Sequence, residues 1–281
     1  MSVLTLNKLT GSVGAEVLGV DPERLAGDEA LGAAVLDALE TNGVLVFPNL
    51  HLDPRAQVAF CRRLGEVDHS SDGHHPVAGI YPVTLDKSKN SSAAYLRATF
   101  DWHIDGCTPL NDECPQKATV LSAKQVAARG GETEFANSYA ACEAFSDEEK
   151  QRFGSLRVVH SLEASQRRVN PDPSPEELAR WRARPSHEHP LVWAHRSGRR
   201  SLVLGASADH VVGMDLDEGR ALLEELLERA TRPELVYSHR WSVGDTVIWD
   251  NNGVLHRAAP YAPDSPREML RTTVLGDEPI R

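Results

Sequence analysis

His103 and Asp105 stand two positions apart in Ala98-Thr-Phe-Asp-Trp-His-Ile-Asp-Gly106. In extended backbone, residues i and i+2 point to the same side, so this spacing sets an imidazole beside a carboxylate. One more neutral ligand would complete the two-histidine, one-carboxylate face that holds ferrous iron and leaves coordination positions open. The chain offers that ligand at His256, in Val247-Ile-Trp-Asp-Asn-Asn-Gly-Val-Leu-His256.

The pair alone is a weak signal. With twelve histidines and Asp at ~6% of residues, about one chance match is expected. A second match exists, His51-Leu-Asp53. There Asp53-Pro54 reads as a helix N-cap followed by proline at the first helical position, which gives Asp53 a structural job. His103, between Trp102 and Gly106, has no such duty. His69, His74 and His75 lie close together, but no matching Cys or acid pattern accompanies them, so they read as lining a solvated loop and not as a zinc site. Cys107 and Cys114 read as buried thiols.

The elements that must position these residues follow from periodicity. Residues 11–27 are Gly-rich and short-stranded. Asp28 to Thr41 carries Leu31, Val35 and Leu39 at helical spacing and stops at Asn42-Gly43. Val44–Phe47 is an apolar strand, and Asp53-Pro54 opens a helix to about Leu64. The polar stretch from about 67 to 99 is a long loop leading into His103, the kind that is usually functional or disordered. Strands are expected at Lys117–Lys124, around Thr133 and Phe135, and at Leu156–His160, with one helix from Asn137 to about Phe153 using Ala140, Ala144 and Phe145 toward the core. Residues 164–189, rich in Arg, Pro and Glu, form an insertion that could serve as a lid, with a short helix near Glu176–Arg182. Strands resume at Pro190–Ala194 and Ser201–Leu204. Asp215, with Glu218 three residues on, opens a helix to about Thr231. Leu235–Trp241, Thr246–Trp249 and Met269–Leu275 close the chain as strands. Many short strands with helices at the ends imply a β-sandwich or jelly roll in a single domain over residues 1–281.

Composition excludes several classes. A net charge of −11 argues against a nucleic-acid partner, which would need a basic patch. No run approaches ~20 apolar residues, and the N-terminus lacks a basic stretch followed by an apolar run. The expectation is a soluble, cytoplasmic protein with no membrane partner.

With these positions laid out, the chain resembles the iron(II)- and 2-oxoglutarate-dependent dioxygenases of the taurine dioxygenase / 2,4-dichlorophenoxyacetate oxygenase family. The likeness is carried by Gly14-Ala-Glu-Val, Trp102-His-Ile-Asp105, Gly130-Gly-Glu-Thr-Glu-Phe135, Ser201-Leu-Val-Leu204, Glu218-Gly-Arg-Ala-Leu-Leu223, His239-Arg-Trp241, Gly244-Asp245, Ile248-Trp-Asp-Asn251 and Leu275-Gly-Asp277. His256, Arg267 and Arg271 complete it, so the motifs run in order over nearly the whole length. The longer blocks read nearer the herbicide-oxygenase side.

The resemblance implies a β-rich α+β fold, a double-stranded β-helix (jelly roll) with flanking helices. It implies His103, Asp105 and His256 as ligands of Fe(2+), with 2-oxoglutarate and O2 as co-substrates. Thr133 and Arg267 would hold the far carboxylate of 2-oxoglutarate. Arg271 would receive the acidic group of a small organic substrate, with His69, His75 and Thr99 of the preceding loop as further substrate contacts. Hydroxylation of that substrate, or cleavage following from it, would accompany formation of succinate and CO2. A homodimer or homotetramer is expected. Two departures stand out: Ile104 where the family often has Thr, and Asn252 where it usually has Arg, which should alter local hydrogen bonding without loss of iron. The carboxylate of Asp105 favours oxygen insertion, since a halogenating relative needs a small residue there. Competing readings are a tailoring hydroxylase of an amino acid or carrier-bound intermediate, a sulfonate or alkylsulfate dioxygenase, and a non-catalytic metal-binding β-barrel.

Overall fold

The computed structural model describes residues 4–69, 75–109 and 114–281. The chain opens with strands β1 (Thr5–Lys8) and β2 (Ala15–Leu18), then helices α1 (Pro22–Gly27) and α2 (Glu29–Asn42). Strand β3 (Val44–Phe47), helix α3 (Pro54–Leu64), strand β4 (Tyr81–Val83) and a 3-10 helix at Tyr95–Phe100 follow. The middle carries β5 (Ala118–Gln125), β6 (Thr133–Asn137), α4 (Ser138–Glu143), α5 (Asp147–Gly154) and β7 (Arg157–His160). Next come α6 (Leu162–Arg167), α7 (Pro175–Arg182), β8 (His187–Pro190), β9 (Val192–Ala194), β10 (Arg200–Leu202) and β11 (Ala208–Val211). Helix α8 (Leu216–Ala230) leads to β12 (Val236–His239), β13 (Thr246–Asp250), β14 (Val254–Ala258) and β15 (Glu268–Val274).

A seven-stranded sheet runs β1-β2-β3-β13-β5-β15-β4, and a three-stranded sheet runs β12-β6-β14. Strands β11-β7-β8 make a third sheet, and β9 pairs with β10 as a hairpin. Strand β3 is apolar at every position because both faces of the large sheet are covered. Leu45 and Phe47 meet Leu31, Val35 and Leu39 of α2 and Phe60 of α3, together with Val120 and Ile248. Val44 and Val46 point the other way, with Leu121, Trp249 and Met269, toward Phe135 of the small sheet. Burying each such side chain is worth about 1.5–3 kcal/mol, against a net ~1 kcal/mol per hydrogen bond. Side-chain burial therefore decides the register.

One buried polar group ties the helical layer to the sheet. Gln57 of α3 donates from Nε2 to the Leu270 carbonyl (2.9 Å) and to Thr272 Oγ1 (3.1 Å), and its Oε1 accepts from Ser122 Oγ at 2.6 Å. This fixes β5 and β15 against α3, and by alternation turns Leu121 and Arg271 inward.

Local caps set the helix starts as expected at Asp28, Asp53 and Asp215, whose side chains accept from first-turn N–H groups. Gly43 ends α2 with φ at 70°. The single helix expected over Asn137–Phe153 is instead two. Ser146 and Glu149 form a reciprocal capping box that starts α5 afresh. Buried positions there are Tyr139, Ala141, Cys142 and Phe145, whereas Ala144 is exposed. The loop around 67–99 contains β4, which pairs with β15. Within 164–189 lie α7 and most of β8, with the expected helix at Pro175–Arg182. No helix among the described residues is long and apolar enough to cross a membrane.

Candidate functional site

His103 and His256 face each other across an isolated antiparallel bridge. The His103 N–H donates to the His256 carbonyl at 3.0 Å, and the His256 N–H donates back at 2.9 Å. His103 thus sits in extended backbone without belonging to a strand, and Asp105, two residues on, shares its side. His103 Nε2 lies 4.0 Å from Asp105 Oδ1, and His256 Nε2 lies 3.7 Å from Asp105 Oδ2. One ligand atom from each residue falls within 4.8 Å of the others, the one such group among the described residues.

The donor set is prepared for a cation. His103 Nδ1 lies 2.9 Å from the Asp101 carbonyl; a carbonyl only accepts, so Nδ1 carries the proton and Nε2 presents its lone pair. Burial, reinforced by the neighbouring His103, pushes the His256 pKa down to about 3, which keeps that ring neutral. Burial acts to raise Asp105, but the facing His256, Arg271 and His103, with the Thr119 hydroxyl, outweigh it and hold the carboxyl below its ordinary range. Thr119 Oγ1 donates to Asp105 Oδ2 at 3.1 Å and accepts from Asn251 Nδ2 at 2.9 Å. Two neutral imidazoles and one oriented carboxylate fit a divalent first-row metal with open positions.

The three residues open onto a cavity. Thr99, Thr133, Arg267 and Arg271 line the same cavity. Arg267 is 2% exposed. Its Nε donates to the Gly131 carbonyl at 3.2 Å and its guanidinium lies over the Tyr261 ring at 4.9 Å. Burial pushes its pKa below the usual arginine value, so the pocket disfavours the bare charge. Arg271 stacks over Tyr81 at 4.8 Å, and its buried Nε has no hydrogen-bond partner. No ion pair engages either arginine among the described residues. Each is an unmet demand for an anion. Trp241 Nε1 donates to Thr133 Oγ1 at 2.9 Å, which orients the threonine hydroxyl.

Two loop histidines are not brought to this cavity's lining. His69 is exposed, with its ring against Gly79. His75 turns onto its own loop, where Nδ1 accepts from the Val77 N–H at 3.1 Å. The His75 ring is thus used locally, which the sequence pattern could not reveal. His74 lies outside the described residues. His51 packs its ring against Gly244 while Asp53 caps α3, so the second His-x-Asp is structural. Cys107 is buried and Cys114 half-buried, both as free thiols. The Asn252 N–H donates to Asp250 Oδ1 at 3.0 Å, and its carbonyl accepts from Ser201 Oγ at 2.6 Å.

Several residues of the site carry no distinct signal in the sequence. Thr119 and Leu121 lie on the inward parity of β5. Val83, Leu96 and Tyr261 complete an apolar wall. Asn251 stood in a quoted motif without a role. Only the alternation of β5 could have marked the first two.

A family model described as "Taurine catabolism dioxygenase TauD, TfdA family" matches residues 5–273. The alpha-ketoglutarate-dependent 2,4-dichlorophenoxyacetate dioxygenase of Cupriavidus pinatubonensis (strain JMP 134 / LMG 1197) is 36% identical over 267 residues, covering 89% of this chain and 91% of that one. The alpha-ketoglutarate-dependent sulfate ester dioxygenase of Pseudomonas putida is 31% identical over 286 residues, with 99% and 91% covered. The crystal structure of AAD-2 in complex with Mn(II) and N-oxalylglycine superposes with a TM-score of 0.83 at 30% identity, covering 99% of this chain and 100% of that chain.

Proposed function

The chain belongs to the taurine catabolism dioxygenase TauD, TfdA family, and from that premise we propose that it hydroxylates a small carboxylate-bearing substrate whose acid group meets Arg271. The enzyme is an iron(II)- and 2-oxoglutarate-dependent dioxygenase. The oxidising power for hydroxylation, with succinate and CO2 as co-products, comes from the metal, 2-oxoglutarate and O2. The protein's own part is to bind, orient and exclude water.

His103, Asp105 and His256 hold the metal in this reading, supported by their mutual distances and by the hydrogen bonds that fix His103 and Asp105. Arg267 and Thr133 receive the far carboxylate of 2-oxoglutarate, because Arg267 is buried with a carbonyl as its hydrogen-bond acceptor and gains most from an anion. Val83, Leu96 and Leu121 offer an apolar wall to the substrate's body, and Thr99 lines the same cavity. The large sheet and the β12-β6-β14 sheet, packed through Phe135 and Trp249, are read as the two halves of a double-stranded β-helix. The homodimer or homotetramer rests on the family resemblance, and light scattering after gel filtration measures it; the cytoplasmic location rests on the sequence pattern alone.

The observation that carries the substrate class is the buried, unpartnered Nε of Arg271 beside the metal-ligating carboxylate. An acid and its methyl ester, compared by oxygen uptake, test it. Wild type should prefer the acid, and Arg271→Ala should lose that preference by roughly ten- to a hundredfold, the value of a charge-assisted hydrogen bond. Equal turnover of acid and ester by wild type would overturn the assignment. Faster turnover of an alkyl sulfate than of the matching acid would move the reading to sulfate esters.

A further inference from the structure

The segment carrying the metal ligands is poorly supported by its own backbone. Between Asp101 and Pro109 the ladder contacts reduce to the one bridge between His103 and His256. At Gly106, with φ at 87°, the chain turns hard against Pro115 and Gln116; an added Cβ would lie 2.9 Å from both. The loop leaves this turn as Cys107 and runs to Pro109 without backbone ladder pairing to any strand.

What meets it there is β8. His187 and His189 sit two apart on that strand, so both rings project from one face; they are parallel within 4°, with centroids 5.9 Å apart. His189 Nε2 lies 2.9 Å from the Cys107 carbonyl, and His187 Nε2 lies 2.8 Å from the Pro109 carbonyl. A carbonyl only accepts, so both rings donate. Other parts of the same excursion brace the loop's beginning. The Ala206 N–H donates to the Trp102 carbonyl at 2.7 Å, and Gly205 approaches so closely that a Cβ would lie 2.5 Å from that oxygen. Arg168, just past α6, lies 3.5 Å from the carboxylate of Asp101, whose carbonyl orients His103. Behind β8, buried His160 packs against His189 at 5.5 Å.

We propose that residues 162–211 act as a clamp on the metal-ligand loop, with His187 and His189 as positioning residues that fix the segment following Asp105 through hydrogen bonds to the Cys107 and Pro109 carbonyls. The inference rests on the reading of His103, Asp105 and His256 as metal ligands. It assigns His160, His187 and His189 to scaffolding; they do not form a second metal-ligating group among the described residues. Two unpaired backbone carbonyls beside a ligand would otherwise let Asp105 drift, and loss of such outer supports costs metal affinity.

The test is titration of the metal-free protein with Mn(II), followed by the loss of the free-ion electron paramagnetic resonance signal. His189→Phe keeps a ring but removes the donor, whereas His189→Gln keeps an N–H donor. Mn(II) binding is expected to weaken about tenfold in His189→Phe, further in the His187→Phe/His189→Phe double variant, and to recover most of its strength in His189→Gln. The unfolding temperature of the metal-free protein should stay near that of wild type. Wild-type affinity in the double variant would overturn the clamp, as would equal loss in His189→Phe and His189→Gln. If His189→Phe does not fold, the pair His187→Phe and His187→Gln is read in the same way. Asp105→Ala is the control: its loss of Mn(II) binding keeps the ligand reading intact whatever the clamp variants do, and wild-type binding by it overturns both.

Discussion

The His103–Asp105–His256 trio and the Arg267–Arg271 pair line one cavity, yet their surroundings differ. Around the trio, His103 is engaged through Asp101, Asp105 through Thr119 and Thr119 through Asn251, while the buried His256 Nδ1 has no hydrogen-bond partner. Around the arginines, charge is left over, cushioned by the rings of Tyr261 and Tyr81 and by one carbonyl. Neutral imidazoles and a hydrogen-bonded carboxylate can wait for a cation at little cost. A buried guanidinium cannot be neutralised by losing a proton, so it is kept by aromatic faces at roughly 0.5–2 kcal/mol each until an anion arrives. In the proposed reading, the cation site is largely organised in advance by hydrogen bonds, and the anion sites are completed by their ligands.

The contrast breaks most severely at Asp105. Asp105→Ala leaves two neutral rings and no anionic ligand for the metal, and turnover should fall to the level of an enzyme-free control with the circular dichroism spectrum unchanged. A folded variant turning over at the wild-type rate with added iron would remove the trio from the chemistry. Arg267→Ala comes next. The apparent KM for 2-oxoglutarate should rise roughly ten- to a hundredfold, the equivalent of about 1.5–3 kcal/mol for a hydrogen bond to a charged group, while the KM for the primary substrate changes little. Initial rates at varied 2-oxoglutarate measure this, and an unmoved KM would place the co-substrate's carboxylate elsewhere. The smallest effect sharpens the comparison at Thr119. Thr119→Val keeps the shape but removes the donor to Asp105 and the acceptor for Asn251. Metal affinity should drop about tenfold, with turnover restored at saturating iron; calorimetric titration with Mn(II) reads it directly. No change would mean that the His103–His256 bridge alone holds the trio.

Much of the site's chemistry was legible because its signals are local. The two-residue spacing of His103 and Asp105, the Asp53-Pro54 cap that dismissed the competing His-x-Asp, and the four-residue spacing of Arg267 and Arg271 all act within a few residues. The ordered motifs then joined His256 to the pair. The sequence is less legible where several local signals compete. Ser146 with Glu149 splits the expected helix over 137–153, and Tyr81–Val83 pairs with β15 inside what read as loop. For His69 and His75, the loop leading into His103 suggested the cavity, but His75 is hydrogen-bonded within its own loop and His69 lies exposed beside Gly79.

The sequence by itself determined residue chemistry, element starts and stops, and the apolar parity that covers both faces of the large sheet. These depend on caps, turns and side-chain alternation, which reach over one or two turns of chain. Tertiary structure alone decided which groups meet: Asn251 with Thr119 across 132 residues, Gln57 with Leu270 across 213, and the histidines of β8 with the carbonyls after Asp105. Hydrogen-bonding side chains are interchangeable in composition, and closing a longer loop costs only ~0.6 kcal/mol per doubling of its length. Distance along the chain therefore carries almost no information about partnership. Packing of the sheet against α3 and β8 chooses the partners.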